Sequence, residues 1–392
     1  MYRKSSTEPS AIGMRHSLLY VCRVGERGGA ETILGNLLKL HDRTKFAPAA
    51  VFLTEGPFYQ EVREMGIPCT VVRAGRFREL YRTAVVAFLL AKWIRHYRAD
   101  CVVSHMSLAH AYAALPARSL GAKTVVMLYG RINPSLALDR VAFRLPTDRI
   151  LSCAQDITDH AKRFLSRANR ERLRTYRMGI DLSAFDPAVA RDSLRGEFGI
   201  PPHVPIVGMI GRFEESKGQE YFLQAARLVA ETHPTVRFVL VGGTQFGIQP
   251  WFKDRLHQLT LHLGLEERVV FAGFRNDMPQ CLAAIDVVVH APIDDSPGGV
   301  TMLEAMAMGK PVVTTGCGDR SEWMTNEEHG VIIPPRDPEA MARAIVRLLN
   351  NPSIARKMGA HGRERAKQVF SAEAMVREVE SYYSELLLSP RA

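Results

Sequence analysis

The chain has no Cys-x-x-Cys pair. Its six cysteines (Cys22, Cys69, Cys101, Cys153, Cys281 and Cys317) are scattered over 392 residues. That argues against a structural zinc site or a disulfide framework, and for buried thiols in a reducing compartment. Long apolar runs are also missing. The longest uncharged one near the middle, 84–91, is far short of the ~20 residues that span a bilayer. The opening residues, MYRKSSTEPS, are polar and show no signal peptide. Residues 1–16 read as a disordered lead-in. Neither half carries Gly-x-Gly-x-x-Gly with an acidic ribose reader ~20 residues on, which disfavours a nicotinamide dehydrogenase. No recognisable base-reading element occurs, so no nucleic-acid partner is expected.

What is present is an ordinary soluble composition, 46% hydrophobic and 23% charged. The length suits two or three domains at ~100–200 residues each. The net charge of +10 is unevenly spread: residues 1–186 carry +13 and the remainder −3. A basic half suits an anionic membrane surface, an acidic substrate or nucleic acid, or else is a solvated surface. The segment 73–98 concentrates seven basic residues (Arg73, Arg76, Arg78, Arg82, Lys92, Arg95 and Arg98) around an apolar middle with Phe88, Trp93 and Tyr97. It reads either as a helix lying on an anionic bilayer or as a core-packing helix with a basic flank.

Strand and helix patterns alternate along both halves. Residues 17–22 (SLLYVC) feed a glycine loop, GERGGAE, and then a helix pattern over 32–40. The strand at 100–105 ends in Ser104-His105, and the strand at 123–128 leads into Tyr129. Polar groups at strand carboxyl ends are where open parallel sheets bind ligands. The plan restarts at 205–210, which feeds GRFEESKG. This is an α/β protein built twice on a Rossmann-like plan, with the boundary near 187–203.

The most informative stretch is HAPIDDSPGGVTMLEAMAMGKPVVTTGC (290–317). An apolar strand at 285–289 runs into a Gly-rich loop, a helix over 301–308, and a new strand at 311–313. Gly298 and Gly299 let the backbone approach a ligand. The N–H groups of Gly299, Val300 and Thr301 would face a negative group, helped by the helix dipole. Glu304, one turn in, would reach hydroxyls beside that anion. A diphosphate joined to a ribose fits both features, although an ordinary strand-to-helix turn has the same local pattern. Arg212 and Lys217, five apart in another strand-to-helix loop, add a fork and a point charge for a diphosphate.

With GRFEESKG (211–218), FAGFRNDMP (271–279), GGVTMLEAMAMGKPVV (298–313) and HGVIIPPRDPEA (329–340), the second half resembles the nucleotide-sugar domain of the retaining family 4 glycosyltransferases of GT-B fold. Weaker matches in the first half are GERGGAE (25–31), VVSH (102–105) and MGIDLSAF (178–185). The resemblance implies two Rossmann-like domains facing across a cleft. These would be an acceptor domain at 17–195, rejoined by a terminal helix at 371–392, and a donor domain at 196–370. It implies a nucleotide-diphosphate sugar such as a UDP- or GDP-sugar as co-substrate, a hydroxyl acceptor, no cofactor, no metal, and retention at the anomeric carbon.

By motif match, Arg212 and Lys217 hold the diphosphate and Glu304 the ribose. Gly299, Val300 and Thr301 offer N–H groups. Gly28 and Gly29 face the donor, and Phe274 and Arg275 lie near the base. His105 is the candidate for the sugar site. Two positions depart from the pattern. Ser296 stands where the family usually has a first Glu, with Asp294 and Asp295 as neighbouring substitutes, and Tyr129 stands where a His is common. The expected activity is sugar transfer to a cell-envelope glycan, lipid-linked or small-molecule acceptor. The protein is expected in the cytoplasm, at the inner face of a membrane. A non-catalytic nucleotide-sugar binder and a sugar-nucleotide epimerase are the alternatives.

Overall fold

The structure is a computed structural model that describes residues 15–75, 79–189, 192–244, 249–294, 299–318 and 322–388. The first half runs β1 (His16–Cys22), α1 (Gly29–Leu40), β2 (Phe46–Phe52), α2 (Pro57–Glu64), β3 (Cys69–Val71), α3 (Leu80–His96), β4 (Cys101–His105) and α4 (Met106–Ser119). It continues through β5 (Lys123–Leu128), α5 (Ala137–Ala142), β6 (Arg149–Ser152), α6 (Gln155–Lys162), α7 (Arg167–Glu171) and β7 (Leu173–Thr175). β1 begins one residue inside the stretch read as lead-in, because His16 already pairs with Phe46.

The second half runs α8 (Asp192–Glu197), β8 (Ile206–Ile210), α9 (Gln219–Thr232), β9 (Arg237–Val241), α10 (Phe252–His262), β10 (Val269–Gly273) and α11 (Met278–Ala284). After these come β11 (Val287–His290), α12 (Val300–Ala307), β12 (Val312–Thr315), β13 (Val331–Ile333), α13 (Pro338–Asn350), α14 (Pro352–Val369) and α15 (Ala372–Leu388).

Two all-parallel sheets result, ordered β3-β2-β1-β4-β5-β6-β7 and β10-β9-β8-β11-β12-β13. Strands such as Leu18 to Cys22 and Val287 to Val289 are buried on both faces, as apolar runs covered by helices should be. Strand order reverses at β1/β4 in the first sheet and at β8/β11 in the second. Those are the points where a doubly wound sheet opens a crevice at its carboxyl edge. This is the double Rossmann-like arrangement expected for a GT-B protein.

Helix α15 lies against α1 of the first half. Its entry is fixed by Ile180, whose N–H donates to Phe370 O at 2.8 Å and whose carbonyl accepts from Ala372 N–H at 3.0 Å. Deeper in, Glu380 Oε1 accepts the Asp42 N–H at 2.8 Å and lies 2.8 Å from His41 Nδ1. His41 Nε2 is 2.6 Å from the Tyr20 hydroxyl. A buried carboxylate satisfied this way holds the last helix to the first sheet and is costly to break.

On the opposite face of the first sheet, Val86, Leu90 and Ile94 of α3 pack into a core shared with α4. The core reading of the 73–98 segment therefore holds for this inward face. Trp93 and Tyr97, expected at an interface, stack on each other (5.6 Å, 22°) and lean on the same core.

Candidate functional site

The carboxyl ends of both sheets open onto one cavity of about 670 Å³. The first half contributes the β1–α1 loop, His105 at the end of β4 and Tyr129 after β5. The second contributes the ends of β8 and β9, His290 of β11, and the start of α12. Both strand-order reversals thus face the same space, which is large enough for a nucleotide-sized ligand.

Gly299 caps α12, and a Cβ there would fall 2.1 Å from the Trp323 ring. The glycine is demanded by this indole, whose ring stacks on Phe370 (6.1 Å, 19°), as well as by any ligand. The first N–H groups of α12, from Val300 and Thr301, have no partner within the helix and lie at the cavity wall. Glu304 sits one turn on, 8% exposed, and its carboxyl has no hydrogen-bond partner among the described residues. Burial pushes it up to about 8, against the pull of Arg27. A buried acid left unsatisfied beside an open cavity is placed to receive ligand hydroxyls.

Arg212 follows β8 and pairs with Glu214 at 3.1 Å, and its carbonyl accepts the Gln219 side-chain amide at 2.6 Å. Lys217 ends a single 3-10 turn, and Gly218 follows with φ +79°, in the left-handed region. There a Cβ would strike Ala291 O at 2.0 Å. Only glycine lets this loop lie flat on the 291–293 backbone, which brings Arg212, Lys217 and the α12 terminus to one wall.

The facing wall is α1. Gly28 is its cap, and Gly29 lies so near α12 that a Cβ would sit 3.3 Å from Val300 Cγ2. Glu31, three residues past the cap, stands in the first turn of α1, where an acid complements the free N–H groups of the helix start. Burial pushes its carboxyl up to about 7 despite Arg212 and Arg23 nearby. Arg27 lines the cavity and is ion-paired with Glu61. His105 is 3% exposed, with Nε2 3.1 Å from the Tyr129 hydroxyl. Burial lowers it to about 3, so it is neutral and serves as a hydrogen-bonding group rather than an acid. The next residue, Met106, holds φ +66°, a strained backbone that turns the chain at the cavity edge.

The expected residues Gly28, Gly29, His105, Arg212, Lys217, Phe274, Arg275, Gly299, Val300, Thr301 and Glu304 all line this one cavity. Arg275 is occupied: it makes a fork to Asp277 (2.8 and 2.8 Å) and reaches Glu197 of α8 at 2.6 Å. These partners raise its already high pKa, and the Glu197 bond ties the 275–277 turn to α8. Asp295, Ser296 and Gly298 lie outside the described residues. Sequence reasoning missed Glu31, Arg27 and Met106. The Gly-Gly-x-Glu spacing, which puts an acid in the third helical position, was the available signal for Glu31. No group of three or more metal-ligating side chains occurs among the described residues.

Two family models match. "Glycosyl transferases group 1" covers residues 190–365 and "Glycosyltransferase Family 4" covers 27–184. In Rhizobium meliloti, the lipopolysaccharide core biosynthesis mannosyltransferase LpsB is 30% identical over 53% of this chain and 60% of its own length. The glycosyltransferase LpsE of the same organism is 34% identical over 50% and 53%. The chain thus spans a little over half the length of these curated relatives. The crystal structure of Anabaena Alr3699/HepE in complex with UDP-glucose superposes with TM-score 0.83 at 24% identity, covering 94% of this chain and 99% of the other. That likeness is one of fold. The matched models account for nearly the whole chain from the β1–α1 loop to α14, and the protein belongs to the group 1, family 4 glycosyltransferases.

Proposed function

We propose that the protein transfers a sugar from a nucleotide-diphosphate donor to a hydroxyl acceptor with retention at the anomeric carbon. The observation that carries this reading is the meeting, in one cavity, of the α12 N-terminus, Arg212, Lys217 and the unsatisfied Glu304. The α12 N–H groups and the two cations would bind the diphosphate and stabilise the charge that grows on its oxygen as the bond to the sugar breaks. Glu304, giving up its proton to solvent as the nucleotide binds, would accept the ribose hydroxyls.

The acceptor oxygen would enter from the α1 wall, on the face the phosphate leaves. The new C–O bond forms as the sugar–phosphate bond breaks, and the hydroxyl proton passes to the departing phosphate oxygen. His105, neutral and braced by Tyr129, would hold a sugar hydroxyl. Arg212, Lys217 and the helix dipole supply the positive charge in this scheme, and no metal is assigned a step. Relatives named for lipopolysaccharide core synthesis support a cell-envelope acceptor, and the basic first half supports work at the inner face of a membrane.

The test is a panel of nucleotide sugars, varied in base and sugar, read by thermal shift and by hydrolysis without acceptor. A donor that raises Tm and slowly releases its sugar is expected. Stabilisation without turnover, even with polyol acceptors added, would leave a binding protein instead. No stabilisation by any nucleotide would remove the donor site.

A further inference from the structure

The first sheet carries two helix layers. Helices α1, α2 and α15 cover one face, and α3, α4 and α5 the other, because the chain changes sides at the β3-to-β4 crossover. The outer surface of the α3–α4–α5 layer is unusual for a water-facing one. Tyr81 (81% exposed), Val85, Phe88 (70%), Leu115 (57%), Leu136 and Val141 project from it. They are nearly half of the large apolar side chains exposed among the described residues.

In α3 the pattern is regular. Tyr81, Val85, Phe88, Lys92 and Arg95 follow spacings of four, three, four and three, which puts them on one stripe opposite the buried Val86, Leu90 and Ile94. The stripe is apolar in its first half and cationic in its second. Lys92 and Arg95, with Arg140 and Arg144 at α5, make no ion pair among the described residues. The acids here are already engaged: Glu79 holds Arg82 at 2.8 Å, Asp148 lies 3.5 Å from Arg118, and Asp139 is buried and accepts the Asn133 N–H.

We propose that the α3–α4–α5 face is a docking surface for an anionic lipid bilayer. Separate apolar side chains set among unpaired cations suit an interface of acyl chains and anionic headgroups, where each kind of group finds its partner at its own depth. A second copy of this chain fits less well. A two-fold contact through this face would set Lys92, Arg95, Arg140 and Arg144 against their own kind. The charge division agrees, since the half that carries this face holds +13 and the other half −3. Helix α4 of this layer starts at the carboxyl edge of the sheet, where its first residue, Met106, lines the cavity, so a bilayer on this face would lie beside one rim of that cavity. The inference is independent of the chemistry assigned to the cavity.

The test is co-sedimentation of the full chain with phosphatidylcholine vesicles, with and without about one-third phosphatidylglycerol. The wild type should bind the anionic vesicles, bind the neutral ones weakly, and be released by high salt. Lys92→Gln with Arg95→Gln should weaken anionic binding roughly thirtyfold, from about one kcal/mol per cation. Tyr81→Ser with Phe88→Ser should weaken it as well. Both variants should keep the wild-type Tm, since all four side chains are exposed. Absence of binding by the wild type, or equal binding by the variants, would overturn the proposal. Self-association in analytical ultracentrifugation that the variants abolish would assign the face to a second copy instead.

Discussion

Glu304→Gln tests the cavity chemistry and the electrostatics together. In the fold, burial moves the Glu304 carboxyl from 4.5 to about 8, whereas in the unfolded chain it titrates near its ordinary value. Between those two pH values the native state holds a proton that the unfolded state has lost. Stability therefore falls as pH rises through that window and levels off above it. At about 1.4 kcal/mol per pH step, the cost approaches a ceiling of about 3 kcal/mol at pH 7 and about 5 kcal/mol above pH 8.

Glutamine has nearly the same shape and no such cost. The variant should match the wild type near pH 4.5 and be more stable at pH 8. At about 2–4 °C per kcal/mol for a domain of this size, up to about 10–20 °C of Tm should separate the two. The same acid should make nucleotide binding release a proton in the wild type. Affinity should then improve as pH rises from 6 to 8, by up to tenfold per unit, while the variant stays flat. Melting curves across pH and calorimetric titrations of a nucleotide in two buffers of different ionisation heat read both effects. Parallel Tm–pH curves with equal pH dependence of binding would refute the account.

Arg212→Ala and Lys217→Ala should each cost about 2–4 kcal/mol of transition-state stabilisation, read as a fall in kcat/KM with the found donor. Gly299→Ala should lower stability by about 1–3 kcal/mol in urea unfolding, because the new methyl meets the Trp323 ring. A second change, Trp323→Leu, should recover part of that loss. His105→Gln should lower turnover without removing a pH limb between 5 and 8, since His105 is already neutral there. Chelation with EDTA should leave the rate unchanged if the cations and the helix terminus alone neutralise the leaving group.

The cavity wall formed by α12 and the 211–218 loop was legible because its parts are close in sequence. Gly299 to Glu304 lie within two turns of one helix, and Arg212 to Gly218 lie in one loop, so spacing alone sets each group's neighbours. Helix α4 was missed, since its alanine-rich sequence with Pro116 inside gives little periodicity and an apparent break. Its burial between α3 and the sheet stabilises it in place of local propensity. The dual character of α3 was half legible. The sequence displays its charges and apolar middle, but the side that faces the core depends on the sheet beneath it.

The amino-acid order by itself determined two parallel-sheet units, their glycine loops, and a glycine-led helix start with a carboxylate one turn in. These follow from short-range sterics and from which residues water rejects. Only the tertiary structure decided that Gly29 touches Val300, so that one cavity is walled by both halves. It also decided that Arg275 is occupied by Asp277 and Glu197, and that Glu304 and Glu31 hold protons at unusual pH. Those outcomes depend on desolvation and on contacts between residues tens to hundreds apart, which no local pattern encodes.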